Sequence, residues 1–145
     1  MRIRVLLFAL VWLSCAWFGS WALNPNNATR MFAAIGLVER GDAKIDEFGH
    51  LTIDKAEFDG HVYLDKAPGM TLLALPAAAV AGHITVRPPI PPTLWDRNFD
   101  RWMMVRVRLA VASVTALLTA LAAVALYDLS LTLTANVGAA LFATI

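Results

Sequence analysis

Three apolar runs, residues 3–23, 70–86 and 109–127, constrain this chain more than any other feature. About 20 apolar residues suffice to cross the hydrocarbon core of a bilayer as a helix. Composition agrees: 59% of the residues are hydrophobic and 16% charged, against about a quarter charged in a soluble domain. The apolar excess lies in blocks, which is the pattern of a membrane protein. The net charge of +1 says little in total, so only its distribution is informative. No basic patch is interleaved with aromatics, and nucleic acid is not an expected partner. Cys15, the single cysteine, lies inside an apolar run and cannot form an intrachain disulfide.

The charge distribution suggests an order of segments. Arg2 and Arg4 precede the first span and place the N-terminus in the cytoplasm by the positive-inside rule. Trp12, Trp17, Phe18 and Trp21 fit a helix reaching the far interface. A cleaved signal peptide ending near Ser20-Trp21-Ala22 is the rival reading, and an uncleaved anchor is preferred because further apolar runs follow. Residues 24–67 carry an acidic excess suited to the non-cytoplasmic side. Asn24 as cap, Pro25 at the first helical position and Gly41 as terminator bound a helix there. Its apolar stripe of Met31, Phe32, Ile35 and Val38 suggests a helix in the interface plane. Short strand-like pieces follow, with Asp59-Gly60 as a hairpin turn.

Residues 68–86 then read as a second span bent at Pro76, with His83 as a packed interfacial histidine. Residues 87–108 hold Arg87, Arg97, Arg101, Arg106 and Arg108 against Asp96 and Asp100, which assigns them to the cytoplasm. The prolines at 88, 89, 91 and 92 favour a stiff extended segment. Residues 109–127 form a third span, and residues 128–145 a short loop and an incomplete fourth. The expected fold is an all-α polytopic membrane protein. It has residues 1–23 as transmembrane helix 1, 24–67 as a loop with an interfacial helix and hairpin, and 68–86 as helix 2. A cytoplasmic loop 87–108, helix 3 at 109–127 and the start of a fourth complete it, and the whole reads as the N-terminal piece of a longer polytopic protein or a truncated relative of one.

Asp65, Lys66, Pro68 and Gly69 stand at the lip of the second apolar run, where ionisable groups are costly to keep and are therefore functional candidates. His50 and His61 share the loop with the carboxylates, without tight metal-ligand spacing.

The order of features, and the blocks Asn27-Ala28-Thr29-Arg30, Leu37-Val38-Glu39-Arg40-Gly41, Ile45-Asp46, Thr52-Ile53-Asp54-Lys55-Ala56 and residues 60–69, carry a resemblance. They resemble the N-terminal part of polyprenyl-phosphate-sugar-dependent membrane glycosyltransferases of the multi-spanning GT-C type. The likeness is to the bacterial branch related to protein O-mannosyltransferases and to the aminoarabinose transferase acting on lipid A. The resemblance covers residues 1–127, and the block ending in Lys66-Ala67-Pro68-Gly69 is its most specific part.

It implies sugar transfer from a polyprenyl-phosphate donor to an acceptor outside the cytoplasm, in a bacterial inner membrane, with membrane lipids as further partners. It makes Lys66 a ligand of the donor phosphate and Asp65 an acid, with Asp65 also a candidate ligand of a divalent metal ion. The chemistry is consistent with those residue types, since a cation stabilises a departing phosphate and a carboxylate takes the acceptor's proton. The family's acidic motif after the first span is replaced here by Asn26-Asn27-Ala28, so Asp46 and Asp54 are the substitute catalytic carboxylates. Arg30 is a candidate for the phosphate or for lipid. The alternative function is a non-catalytic membrane subunit or transporter fragment whose charged loop binds a partner.

Overall fold

The computed structural model describes residues 2–18, 24–89 and 96–144. The chain divides into two compact units, one of residues 1–20 with 111–145 and one of residues 21–110.

In the first unit, helix α1 (Arg2–Phe18) packs against a π-helical turn (Val111–Thr115) and helix α5 (Ala116–Thr134), and a short α6 (Val137–Phe142) returns onto α5. A π turn shifts the regular hydrogen-bond ladder, and here Trp12 Nε1 donates to the carbonyl of Ala112 at 2.9 Å. Arg4 Nε meets Asp128 Oδ1 at 2.6 Å. Leu7, Tyr127 and Ala140 form the small core, while Leu6, Leu10, Trp17 and Phe18 of α1 are exposed. Such outward apolar surface is what a lipid or protein partner covers.

The second unit is built around α2 (Pro25–Glu39). Asn24 caps it by accepting from the Asn27 amide, Pro25 occupies the first turn, and Gly41 adopts a left-handed φ of 77° just beyond the end. A 3-10 helix (Asp46–Leu51) and an antiparallel hairpin, β1 (Lys55–Phe58) with β2 (His61–Leu64), lie against it. Phe58 pairs with His61 across a two-residue turn in which Asp59 and Gly60 have φ of 50° and 74°. Two successive positive φ values define the type I′ turn that matches strand twist. Lys44 adds a single bridge to Tyr63 on the other side of β2. Helices α3 (Gly69–Ile84) and α4 (Arg97–Ala110) complete the unit.

The core of this unit joins Met31, Phe32 and Ile35 of α2 to Phe48, Phe99, Trp102 and Met103. The Phe32 and Phe48 rings stack at 4.5 Å, and removing either should cost about 3–5 kcal/mol. Gly36 lets the following loop cross α2 closely, because a β-carbon there would lie 2.9 Å from the carbonyl oxygens of Asp42 and Lys44.

Several expectations are corrected. Three transmembrane helices and part of a fourth are not found among the described residues. Among the described residues one helix, the continuous run Arg97–Thr134 of 38 residues, is long and apolar enough to cross a membrane. The run expected as span 2 forms α3, whose 16 residues reach about 24 Å at 1.5 Å per residue, short of the roughly 30 Å hydrocarbon core. The expected fourth span is the six-residue α6. Much of the expected cytoplasmic loop is helix α4, because Phe99, Trp102, Met103 and Val107 recur at helical spacing and are buried. Most of the apolar stripe of α2 faces protein: Met31, Phe32 and Ile35 are at most 4% exposed, and only Val38 is exposed. His83 is exposed. Residues 19–23, with the rival cleavage site and the far end of span 1, lie outside the described residues, as do residues 90–95 of the proline-rich segment.

Candidate functional site

The hairpin register places the first group of charges. Lys55 pairs with Leu64, so the next opposed positions outward are Asp54 and Asp65. Like charges facing one another across a ladder repel, and Lys66 answers that repulsion. Its Nζ lies 3.5 Å from Asp54 Oδ1 and 3.2 Å from Asp65 Oδ2. The hydrogen bond to Asp65, assisted by the charge of Asp54, raises the Lys66 ammonium above its ordinary pKa. Three expected site residues therefore converge immediately before α3.

Asp54 is tied to α2 by a chain of hydroxyls with a single direction. Thr29 Oγ1 lies 2.7 Å from the Pro25 carbonyl, which can only accept, so Thr29 donates there. Thr52 Oγ1, 2.5 Å from Thr29 Oγ1, must then donate to it. Thr52 in turn accepts from the Asp54 amide at 3.1 Å. Both hydroxyl residues are buried, at 0% and 6% exposed. Arg30, next to Thr29, makes a 3.5 Å contact to the Asn26 carbonyl, and its buried Nε has no partner among the described residues. No ion pair joins Arg30 to the Lys66 group among the described residues.

Asp46 belongs to a different group at the turn end of the hairpin, on His61, which is four residues of strand from Asp65 or about 14 Å at roughly 3.4 Å per residue. Its Oδ1 accepts from the Val62 amide at 2.6 Å and its Oδ2 faces His61 Nδ1 at 2.8 Å. The Val62 hydrogen bond, reinforced by His61, holds Asp46 below the usual carboxylate range. Lys44 Nζ lies 3.0 Å from His61 Nε2. An ammonium only donates, so Nε2 accepts and Nδ1 carries the proton given to Asp46. Asp46 is thereby engaged in orienting an imidazole.

A third group unites residues that sequence reading assigned to opposite sides of a membrane. Arg87 reaches Glu39 Oε2 at 2.5 Å and Glu47 Oε2 at 2.6 Å. Glu47 Oε1 also receives Arg40 Nη1 at 2.7 Å. Arg106, 1% exposed, lies 3.7 Å from Glu39 and stacks over Trp102 with its guanidinium carbon 3.9 Å from the ring centroid. Glu39 ends α2, where the helix dipole disfavours a carboxylate, and two guanidinium groups compensate it. These pairs join residues 39 and 47 directly to residues 87 and 106, so no bilayer separates the two segments. The sequence signal was present only as acidic excess in one segment and arginine excess in the other.

A divalent metal does not fit the Asp54–Asp65 pair, because the Lys66 ammonium occupies the place between the carboxylates that a cation would take. No group of three or more potential ligands gathers among the described residues. No protein-family model, curated protein or solved structure matches the chain.

Proposed function

We propose that the chain is part of a membrane glycosyltransferase that moves a sugar from a polyprenyl-phosphate donor to a hydroxyl acceptor, in a bacterial inner membrane with the acceptor outside the cytoplasm. The observation that carries this reading is the ammonium of Lys66 set between two carboxylates, Asp54 and Asp65, at the entrance to the apolar helix α3. A lysine serves a phosphate as a compact charge. The helix supported as membrane-crossing by its length and hydropathy, Arg97–Thr134, suits a lipid-linked donor.

In this proposal the donor phosphate draws Lys66 from its longer contact, Asp54. The opposed carboxylates then repel, and that repulsion is relieved when Asp54 takes the proton of the acceptor hydroxyl. The acceptor oxygen bonds to the anomeric carbon as the bond from that carbon to the phosphate oxygen breaks. The polyprenyl phosphate leaves with the bonding electrons, its charge held by Lys66. Thr52 and Thr29 keep Asp54 in place through the backbone.

The test is transfer from labelled polyprenyl-phosphate sugars by the complete reading frame. Lys66→Ala and Asp54→Asn should each lower transfer by at least about a hundredfold, the usual scale for a lost charge-stabilising or proton-accepting group, with membrane insertion retained. Wild-type rates in both variants would refute the assignment. The saturation of Lys66 by its own carboxylates favours a second reading, a non-catalytic membrane subunit in which the same group only fastens the hairpin. That reading expects no sugar-dependent product from the wild-type protein.

A further inference from the structure

The positive charge of the second unit is almost wholly consumed inside it, with one exception. Arg97 and Arg101, one helical turn apart on α4, are exposed and have no hydrogen bond or ion pair among the described residues. Every other lysine and arginine of the unit is engaged by at least one partner. Unpaired like charges at this spacing destabilise a helix, so their cost is removed when an anion sits across them.

Arg101 also borders a cleft of about 480 Å³ between the end of α3 and α4, within the size range of small-molecule sites. Its walls combine Arg87, Arg101 and the Asn98 amide with apolar Pro88, Trp102 and Val105. One charged edge over an apolar wall is complementary to an amphiphile with an anionic head. Both free arginines also stand in the first two turns of the helix Arg97–Thr134, which among the described residues is the one long and apolar enough to cross a membrane. Basic residues flanking such a helix meet anionic headgroups.

We infer that the cleft beside Arg101 binds the headgroup of an anionic phospholipid, with Arg101 in its wall and Arg97 one helical turn before it as the charges, and Trp102 and Val105 as the apolar wall. This site lies at the opposite end of α3 from Lys66 and is independent of sugar transfer.

The test is binding of dioctanoyl phosphatidylglycerol and dioctanoyl phosphatidylcholine to the detergent-solubilised full chain, measured by native mass spectrometry. A charge near a membrane surface contributes about fivefold per arginine, so the anionic lipid should bind roughly 25-fold more tightly than the zwitterionic one. Arg97→Gln with Arg101→Gln should abolish the preference, and the paired lysine substitutions should keep most of it. Val105→Trp narrows the cleft without altering charge and should weaken phosphatidylglycerol as well. Equal affinity for the two lipids, an unchanged preference in the glutamine pair, or unchanged binding in Val105→Trp would each overturn the proposal. Displacement of phosphatidylglycerol by equimolar inorganic phosphate would also overturn it, by showing a site for a free anion rather than for lipid.

Discussion

Thr52→Val tests whether the hydroxyl chain fixes Asp54. Valine keeps the shape of threonine but removes the acceptor of the Asp54 amide and the donor to Thr29. Thr29 keeps its own hydrogen bond to the Pro25 carbonyl, so the loss concentrates on the Asp54 N–H. Thr52 is 6% exposed, which limits replacement by water. Leaving such a donor unsatisfied costs about 1–3 kcal/mol. With a urea slope of about 1–3 kcal/mol per molar, the unfolding midpoint of the full chain in detergent should fall by roughly 1 M. Amide exchange at Asp54 should accelerate with it. Thr52→Ser, which keeps the hydroxyl, should recover most of both effects. A valine variant as stable as the wild type, or a serine variant as damaged as the valine one, would show that the hydroxyl chain does not hold this segment.

Two more outcomes follow from the charge groups. Asp46 is depressed below its ordinary 3.8, and a depressed carboxylate contributes stability above its unfolded pKa that is lost as pH falls through the folded value. The stability gap between wild type and Asp46→Asn should therefore be constant above pH ~5 and close below about pH 4; a gap unchanged down to pH 2 contradicts the Val62 and His61 contacts. Lys66→Met leaves Asp54 opposite Asp65 with no cation, so adding Asp54→Asn should stabilise that variant, whereas Asp54→Asn in the wild type removes an ion pair and should not. The same sign in both backgrounds, read by urea unfolding, would mean the carboxylates do not repel across the hairpin.

Local signals in this sequence were strong where backbone geometry depends on one or two residues. Asn24, Pro25 and Gly41 bound α2 because capping, a preset φ and a left-handed residue act within one turn of chain. Asp59-Gly60 sets the hairpin turn for the same reason. Asp65 and Lys66 are legible from their place beside an apolar run, whereas Asp54 enters only through the family resemblance, because the hairpin that brings it to Lys66 is not a local signal. Asp46, expected with Asp54 as a substitute for the family's acidic motif, stands apart from the Lys66 group, since its partner His61 lies 15 residues away and is reached only through the fold. Thr29 and Thr52, 23 residues apart, gave no signal at all. A buried threonine is visible only once its neighbours are known.

The larger error concerns charge, and it has a physical root. An acidic segment and an arginine-rich segment flanking an apolar run have two explanations, separation by a bilayer or direct pairing. The positive-inside rule weighs only the first. Deciding between them requires the length of the apolar helix and the position of the acids relative to its far end. Helix α3 has 16 residues, too few to carry Arg87 across about 30 Å of hydrocarbon. Helix α2, which packs along α3, delivers Glu39 to the same end. Each of these helices alone could still be read as an interfacial or spanning segment. Taken together, two helices of nearly equal length whose first turns are tied together through Thr29, Asp54 and Lys66 must finish near one another; Glu39 ends the first, and Arg87 stands three residues beyond the end of the second. The charge asymmetry that suggested opposite compartments is then the signature of an ion-paired helix end.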